Sequence, residues 1–149
     1  MKAMIKNGRI CLNALIFTIW IILGMGCTCK NGAYNNGIII KEIGNSCTIM
    51  DRFNNGLIID NDSAYYLNFD EKCQPEKIDF SKFTILGNYA SGGCYATFIR
   101  TVSIDEKNKK YTYLIDVNNC GLCSRAVISY NWVLVPKLPL GWKVEFQKN

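Results

Sequence analysis

Between residues 111 and 118 every second side chain is apolar. Tyr111, Tyr113, Ile115 and Val117 alternate with Thr112, Leu114, Asp116 and Asn118. A period of two fits a strand with one buried face and no helix. The same period returns twice downstream. Ala126, Ile128, Tyr130, Trp132 and Leu134 alternate with Val127, Ser129, Asn131, Val133 and Val135, up to Pro136. Trp142, Val144 and Phe146 alternate with Lys143, Glu145 and Gln147. Residues 94–104 read as a further strand, apolar on both faces until charge appears at Arg100. "DEKNKK" joins it to residues 111–118 as a hairpin loop, and "PKLPLG" turns the chain into a second hairpin. Shorter strands are expected at residues 38–43, 47–50, 56–59 and 83–86. One helix is expected within residues 61–73, near 63–69. Asn61 or Asp62 can cap it, and Ala64 with Leu67 and Tyr65 with Phe69 fall at helical spacing. The expected fold is mostly β: an antiparallel β-sandwich or open barrel with one short helix.

The first 26 residues read as a signal peptide. Lys2, Lys6 and Arg9 precede "ICLNALIFTIWIIL", a 14-residue apolar run. That run suits a secretory signal and is short of the roughly 20 residues a spanning helix needs. "GMGC" follows, ending at Cys27. A small residue before a cysteine at this place resembles the lipobox of bacterial lipoproteins. The resemblance implies a diacylglycerol on the Cys27 thiol and Cys27 as the mature N-terminus. Gly24 stands where that family usually has Leu, and Leu23 lies one step further out. Gly24 and Gly26 also suit ordinary signal peptidase, so release and an uncleaved anchor stay open. Residues 27–37 read as a polar, Gly/Asn-rich tether, and residues 38–149 as a single β-rich domain. The expected location is a bacterial cell envelope, outside the cytoplasm, on a membrane.

Charge excludes one class of partner. The net charge is +5, from 17 Lys/Arg and 12 Asp/Glu. Three of the cations lie in the signal, leaving 14 against 12. That balance offers nucleic acid no basic field.

Outside the cytoplasm, thiols favour disulfides. Setting aside Cys11 and Cys27, six cysteines remain: Cys29, Cys47, Cys73, Cys94, Cys120 and Cys123. In the hairpin around "DEKNKK", pairing Ile104 with Tyr111 extrapolates to Cys94 opposite residue 121. Cys94 is therefore expected to bond to Cys120 or Cys123, with Gly92, Gly93 and Gly121 giving room. By elimination Cys47 pairs with Cys73, and Cys29 stays in the tether. "CGLC" at 120–123 also admits a thiol oxidoreductase, but that chemistry wants a helix after the motif, and the residues that follow read as a strand.

The chain has no His. Ser-His and Cys-His nucleophile pairs are therefore impossible, and the commonest metal ligand is missing. The acidic pairs Asp60/Asp62, Asp70/Glu71 and Asp105/Glu106 sit in turn-like stretches where caps and solvated acids belong. No catalytic residue, metal or cofactor is expected.

"YASGG" before Cys94 reads as a turn, and its glycines allow positive φ or the close approach of a partner. Ser91, Gly92, Gly93 and Tyr95 are accordingly candidates for a partner-binding loop. The longer stretch "IDFSKFTILGNYASGGCYATFIRTV" resembles the C-terminal domain family of the protease-complex subunit PrcB and related small envelope lipoproteins. The shared features are the Asp79-Phe80-Ser81-Lys82 lead, an apolar strand, Gly-Gly, another strand, and a late Val135-Pro136-Lys137 turn. Cys94 stands where that pattern has an aromatic, which here follows as Tyr95. Ser129-Tyr130-Asn131-Trp132 replaces a Pro-Tyr. The resemblance implies a β-domain that stabilises or inhibits an envelope protease, with no chemistry of its own. A glycan-binding module is the alternative, provided Tyr89, Tyr95, Tyr111, Tyr130 and Trp142 line one open face.

Overall fold

The hairpin across residues 105–110 forms in the expected register: Ile104 faces Tyr111 and Thr97 faces Asn118. The structure is a computed structural model, and it describes residues 33–43, 56–69, 77–119 and 125–149. Along the chain come β1 (Ala33–Gly37), β2 (Lys41–Ile43), β3 (Leu57–Ile59), α1 (Asp62–Asn68) and β4 (Phe83–Gly93). Then follow β5 (Thr97–Asp105), β6 (Lys110–Asn118), β7 (Ala126–Pro136) and β8 (Lys143–Lys148). They form two four-stranded sheets, ordered β1-β5-β6-β8 and β2-β7-β4-β3. The protein is a mostly β sandwich with one short helix.

The β4–β7 ladder is the spine of the second sheet, with eleven residue pairs from Phe83↔Pro136 to Gly93↔Ala126. Both of its faces are covered. Toward the first sheet, Leu86, Ala90, Val133 and Val135 meet Val102, Tyr111, Tyr113 and Ile115. On the outer face, Ile85, Trp132 and Leu134 meet Tyr65 and Phe69 of the α1 segment, together with Ile59 and Ile78. Two-sided burial explains why residues 84–88 and 131–135 are all buried, without alternation. Gly87 belongs to this packing. A Cβ there would sit 2.0 Å from the indole ring of Trp132, which lies across it.

Local signals explain α1. The Asn61 side-chain oxygen accepts from the Ala64 amide at 2.8 Å, and Asp62 lies in the first turn. Tyr65 and Phe69 then fall on one face, with the Phe69 ring 4.9 Å from that of Trp132. At the hairpin tip, Asp105 accepts from the Asn108 amide and side chain, which pulls its carboxyl below the usual range, and Lys109 takes a φ of 51°.

Several expectations are corrected. The second hairpin does not form. "PKLPLG" carries the chain to the other sheet, where β8 lies parallel to β6, with Val144 beside Tyr111. On its own sheet β7 is already flanked by β2 and β4, so the apolar face of β8 finds its place at the inter-sheet core. Residues 33–37 are not tether: they form β1, parallel to β5, with Asn35 opposite Arg100. Main-chain pairing needs no apolar pattern, so polar "AYNNG" gave no strand signal. The strand expected at 38–43 is shortened to β2. β4 runs past residue 86 to Gly93, so Ser91, Gly92 and Gly93 are strand rather than turn. Their turn falls at Cys94 and Tyr95, and β5 starts at Thr97. The strand expected at 47–50, and Cys27, Cys29, Cys47, Cys73, Cys120 and Cys123, lie outside the described residues.

Arg100 does not mark a return to solvent. Its side chain is 0% exposed, midway along β5, and its Nη2 lies 2.7 Å from Glu42 Oε2 on β2. Among the described residues, Nε and Nη1 have no hydrogen-bond partner. The ion pair ties an edge strand of one sheet to a central strand of the other. A buried guanidinium that loses its counter-charge is strongly destabilising, whereas an apolar replacement of the pair can be nearly neutral. Glu42→Gln should therefore cost roughly 3 kcal/mol. Adding Arg100→Met should recover most of that loss. Urea unfolding midpoints of the two variants check this, and a double variant less stable than Glu42→Gln contradicts it.

Candidate functional site

Two surfaces stand out once the polar groups with structural work are set aside. The first is the end of the β4–β7 ribbon, where the two sheets connect. The Gly93 amide donates to Asn119 Oδ1 at 2.7 Å, and the Ala96 amide donates to the Gly93 carbonyl at 3.0 Å. Neither Gly92 nor Gly93 takes a positive φ. What Gly92 supplies is space: a Cβ there would lie 2.4 Å from that of Ala96 and 3.0 Å from Val117 Cγ1. The glycine is needed because the chain changes sheets against its own neighbour, not because a turn demands it. Cys94 lies in that crossing, its Sγ 3.5 Å from the Arg125 carbonyl oxygen. Around the crossing, Tyr95 is 53% exposed and Ile128 59%, and Val127 is exposed as well. Of the proposed partner loop, only Ser91 and Tyr95 are exposed, while Gly92 and Gly93 are half-buried.

The second surface was not foreseen from the sequence. Helix α1 buries Tyr65 but leaves Tyr66 55% and Leu67 73% exposed, side by side. A cleft of about 470 Å³ opens beside it, lined by Asp62, Lys77, Ile78, Asp79, Phe80 and Ser81. Asp62 and Tyr66 are four residues apart, so they share a helix face, and the wall of the cleft continues into the apolar knob. Helical spacing pairs Ala64 with Leu67 as well as Tyr65 with Phe69, and only the second pair is buried. Nothing in that spacing marked the opposite face as unusually apolar.

The Asp79-Phe80-Ser81-Lys82 motif has a structural explanation. Asp79 Oδ1 accepts from the Ser81 amide at 3.1 Å and from Ser81 Oγ at 2.5 Å, and Lys82 Nζ lies 2.9 Å from Oδ2. The Asp79 carbonyl accepts from the Lys82 and Phe83 amides. Phe80 packs on the outer core, its ring 5.8 Å from that of Tyr65. The motif is a self-capped turn that launches β4.

The other acids behave similarly. Asp60 accepts from Asn61 Nδ2, Asp62 opens α1, and Asp105 caps its loop. Glu145 is hydrogen-bonded to Lys110 and Gln147, which lowers its carboxyl. Asp70 and Glu71 lie outside the described residues. No group of three potential metal ligands occurs among the described residues.

The five aromatic residues that could have formed a sugar platform do not share a face. Tyr111 is buried between the sheets, with Trp142 edge-on at 5.8 Å. Tyr130 packs on the outer core, Tyr89 lies under Lys148 Nζ at 3.6 Å, and Tyr95 stands at the ribbon end. After Cys123 the described chain resumes at Arg125 and enters β7, not a helix.

Hydrogen bonds from Ser81, foremost its hydroxyl, and from Lys82 hold the Asp79 carboxyl at about 2, below the ordinary 3.8. A depressed folded pKa contributes stability that is complete above the unfolded value and lost as pH falls through the folded one. Asp79→Asn should therefore be less stable than the native chain near neutrality. The gap should close between pH 3.8 and about 2. Urea midpoints across that window measure it, and a gap that persists at lower pH contradicts the assignment.

No family model, curated protein or solved structure matches the chain.

Proposed function

We propose that the chain is a membrane-anchored, protein-binding β-domain of a bacterial cell envelope, whose partner docks on α1 and the adjoining cleft. One observation carries this reading: Tyr66 and Leu67 project from a short helix, next to a cleft with both charge signs in its lining. Large apolar side chains grouped beside polar groups on a rigid scaffold are typical of protein contact surfaces. Glu42, Asp60, Asp79, Asp105, Asp116 and Glu145 all have partners inside the fold, which favours recognition as the simpler role. The resemblance to the PrcB domain family points to an envelope protease as the partner, held in a stabilised or inhibited state.

Cross-linked pull-down of the anchored protein from its own envelope, followed by mass spectrometry, tests the reading. A protease should be recovered with the native chain. Tyr66→Ser with Leu67→Ser should reduce its recovery at least tenfold (about 1.4 kcal/mol), with the β-type circular dichroism retained. Equal recovery with the double variant overturns the surface, and recovery of glycan in place of protein overturns the function.

A disulfide from Cys94 to Cys120 or Cys123 is proposed as the brace of this scaffold. Asn119 is bonded to Gly93, and the Arg125 carbonyl lies against Cys94, so both flanks of residues 120–124 are held beside the Cys94 turn. Closing a loop of about 27 residues would add about 3–4 kcal/mol in the loop-entropy model. Non-reducing peptide mapping should find Cys94 joined to one of these two. A Cys120–Cys123 pair with Cys94 free would instead support the thiol oxidoreductase.

A further inference from the structure

We propose that the open end of the β4–β7 ribbon, carrying Tyr95, Val127 and Ile128, docks into the headgroup layer of the bilayer that anchors the chain. The proposal rests on the anchoring of Cys27 and goes beyond it by orienting the domain. β1 runs parallel to β5, with Ala33 beside Phe98. The described chain therefore begins at the end of the sandwich that holds the Cys94–Tyr95 turn, Asn118 and Ala126. Six residues lead from Cys27 to Ala33, a reach of about 20 Å even when fully extended. The far end, with residues 105–110 and 136–142, lies roughly 25–30 Å further away, the length of a nine-residue strand. A lipid on Cys27 can hold the ribbon end against a bilayer, and so short a tether cannot turn the domain over to stand on its far end.

The exposed chemistry agrees with that geometry. Tyr95 sits in the turn just before β5, with an apolar ring and a polar hydroxyl, the combination favoured at membrane interfaces. Ile128 and Val127 lie opposite Ser91 and Gly92, on the two faces of the ribbon near its tip. Such a tip can sink both faces into the headgroup boundary, where buried apolar area adds to the hold of the lipid chains. Arg125 is exposed at the same end. At the far end, the 105–110 loop carries Asp105, Glu106, Lys107, Lys109 and Lys110. Leu140 is exposed there too, between Pro139 and Gly141, and so provides an internal control.

Hydrogen exchange of the full, processed chain in vesicles of phosphatidylethanolamine and phosphatidylglycerol decides the matter. Amides of residues 93–96 and 126–128 should exchange about tenfold more slowly than in the Tyr95→Ser, Ile128→Ser variant. Amides of residues 138–142 should be the same in both. Vesicle flotation reads the anchor separately. A chain that floats while its ribbon end exchanges freely keeps the anchor and overturns the docking. Protection of 138–142 in place of the ribbon end overturns it as well. A chain that neither floats nor shows protection in vesicle excess overturns both. If Cys27→Ala lowers flotation while the double substitution removes protection without lowering flotation, both readings stand.

Discussion

The β4–β7 ladder is the constraint on which the rest depends. Its eleven residue pairs contribute to both apolar clusters, one on each face. One face closes the inter-sheet core, and the other receives α1 through Trp132, Tyr65 and Phe69. Gly87 lets the Trp132 indole lie flat across β4, so outer packing and strand pairing are set by the same two residues. Disturbing the ladder would loosen the sandwich and the helix together, because each has its hydrophobic partner on the same strands.

Charge is used mainly to hold this arrangement. Arg100 joins the sheets through Glu42, Asp79 fixes the turn into β4, Asp105 fixes the hairpin tip, and Lys110 with Glu145 links β6 to β8. Burial raises the Tyr113 phenol well above its usual range, and its hydroxyl donates to the Asn131 carbonyl between the sheets. With these groups engaged, the exposed apolar side chains are the features the fold does not explain. Ile40, Ile58, Ile104 and Leu140 are exposed at scattered positions, and the other five form two groups with different surroundings. Tyr66 and Leu67 border a cleft on the side of the domain. Tyr95, Val127 and Ile128 crown the end from which the N-terminal segment leaves. A domain tethered at one end and contacted on its side can hold a partner close to the membrane surface, and the proposed function needs that arrangement.

Much of this was legible from local pattern. The 105–110 hairpin could be read to the residue, since period-two alternation on β6 and a short polar loop together allow few registers. The start of α1 could be read to within one residue, Asn61 or Asp62, because a cap is a contact between residues three apart, and Asn61 is the cap. The α1 knob and the cleft could not be read. Tyr66 and Leu67 are ordinary helix residues until it is known which face Tyr65 and Phe69 bury. The cleft is built from two segments, residue 62 and residues 77–81, that sequence spacing does not relate.

The sequence by itself determined the strand-rich class, the short capped helix, the hairpin register and the absence of histidine chemistry, all properties of neighbouring residues. Only the tertiary structure decided the parallel placement of β1 and β8, the burial of Arg100 and the reason for Gly92. Polar "AYNNG" becomes a strand because β5 presents an unpaired edge. Arg100 is buried because Glu42, 58 positions earlier, arrives on the other sheet. Gly92 is required because Ala96 and Val117 pass within reach of its missing side chain. In each case the deciding atom belongs to a distant segment or to a crossing between sheets, and neither periodicity nor composition carries that information.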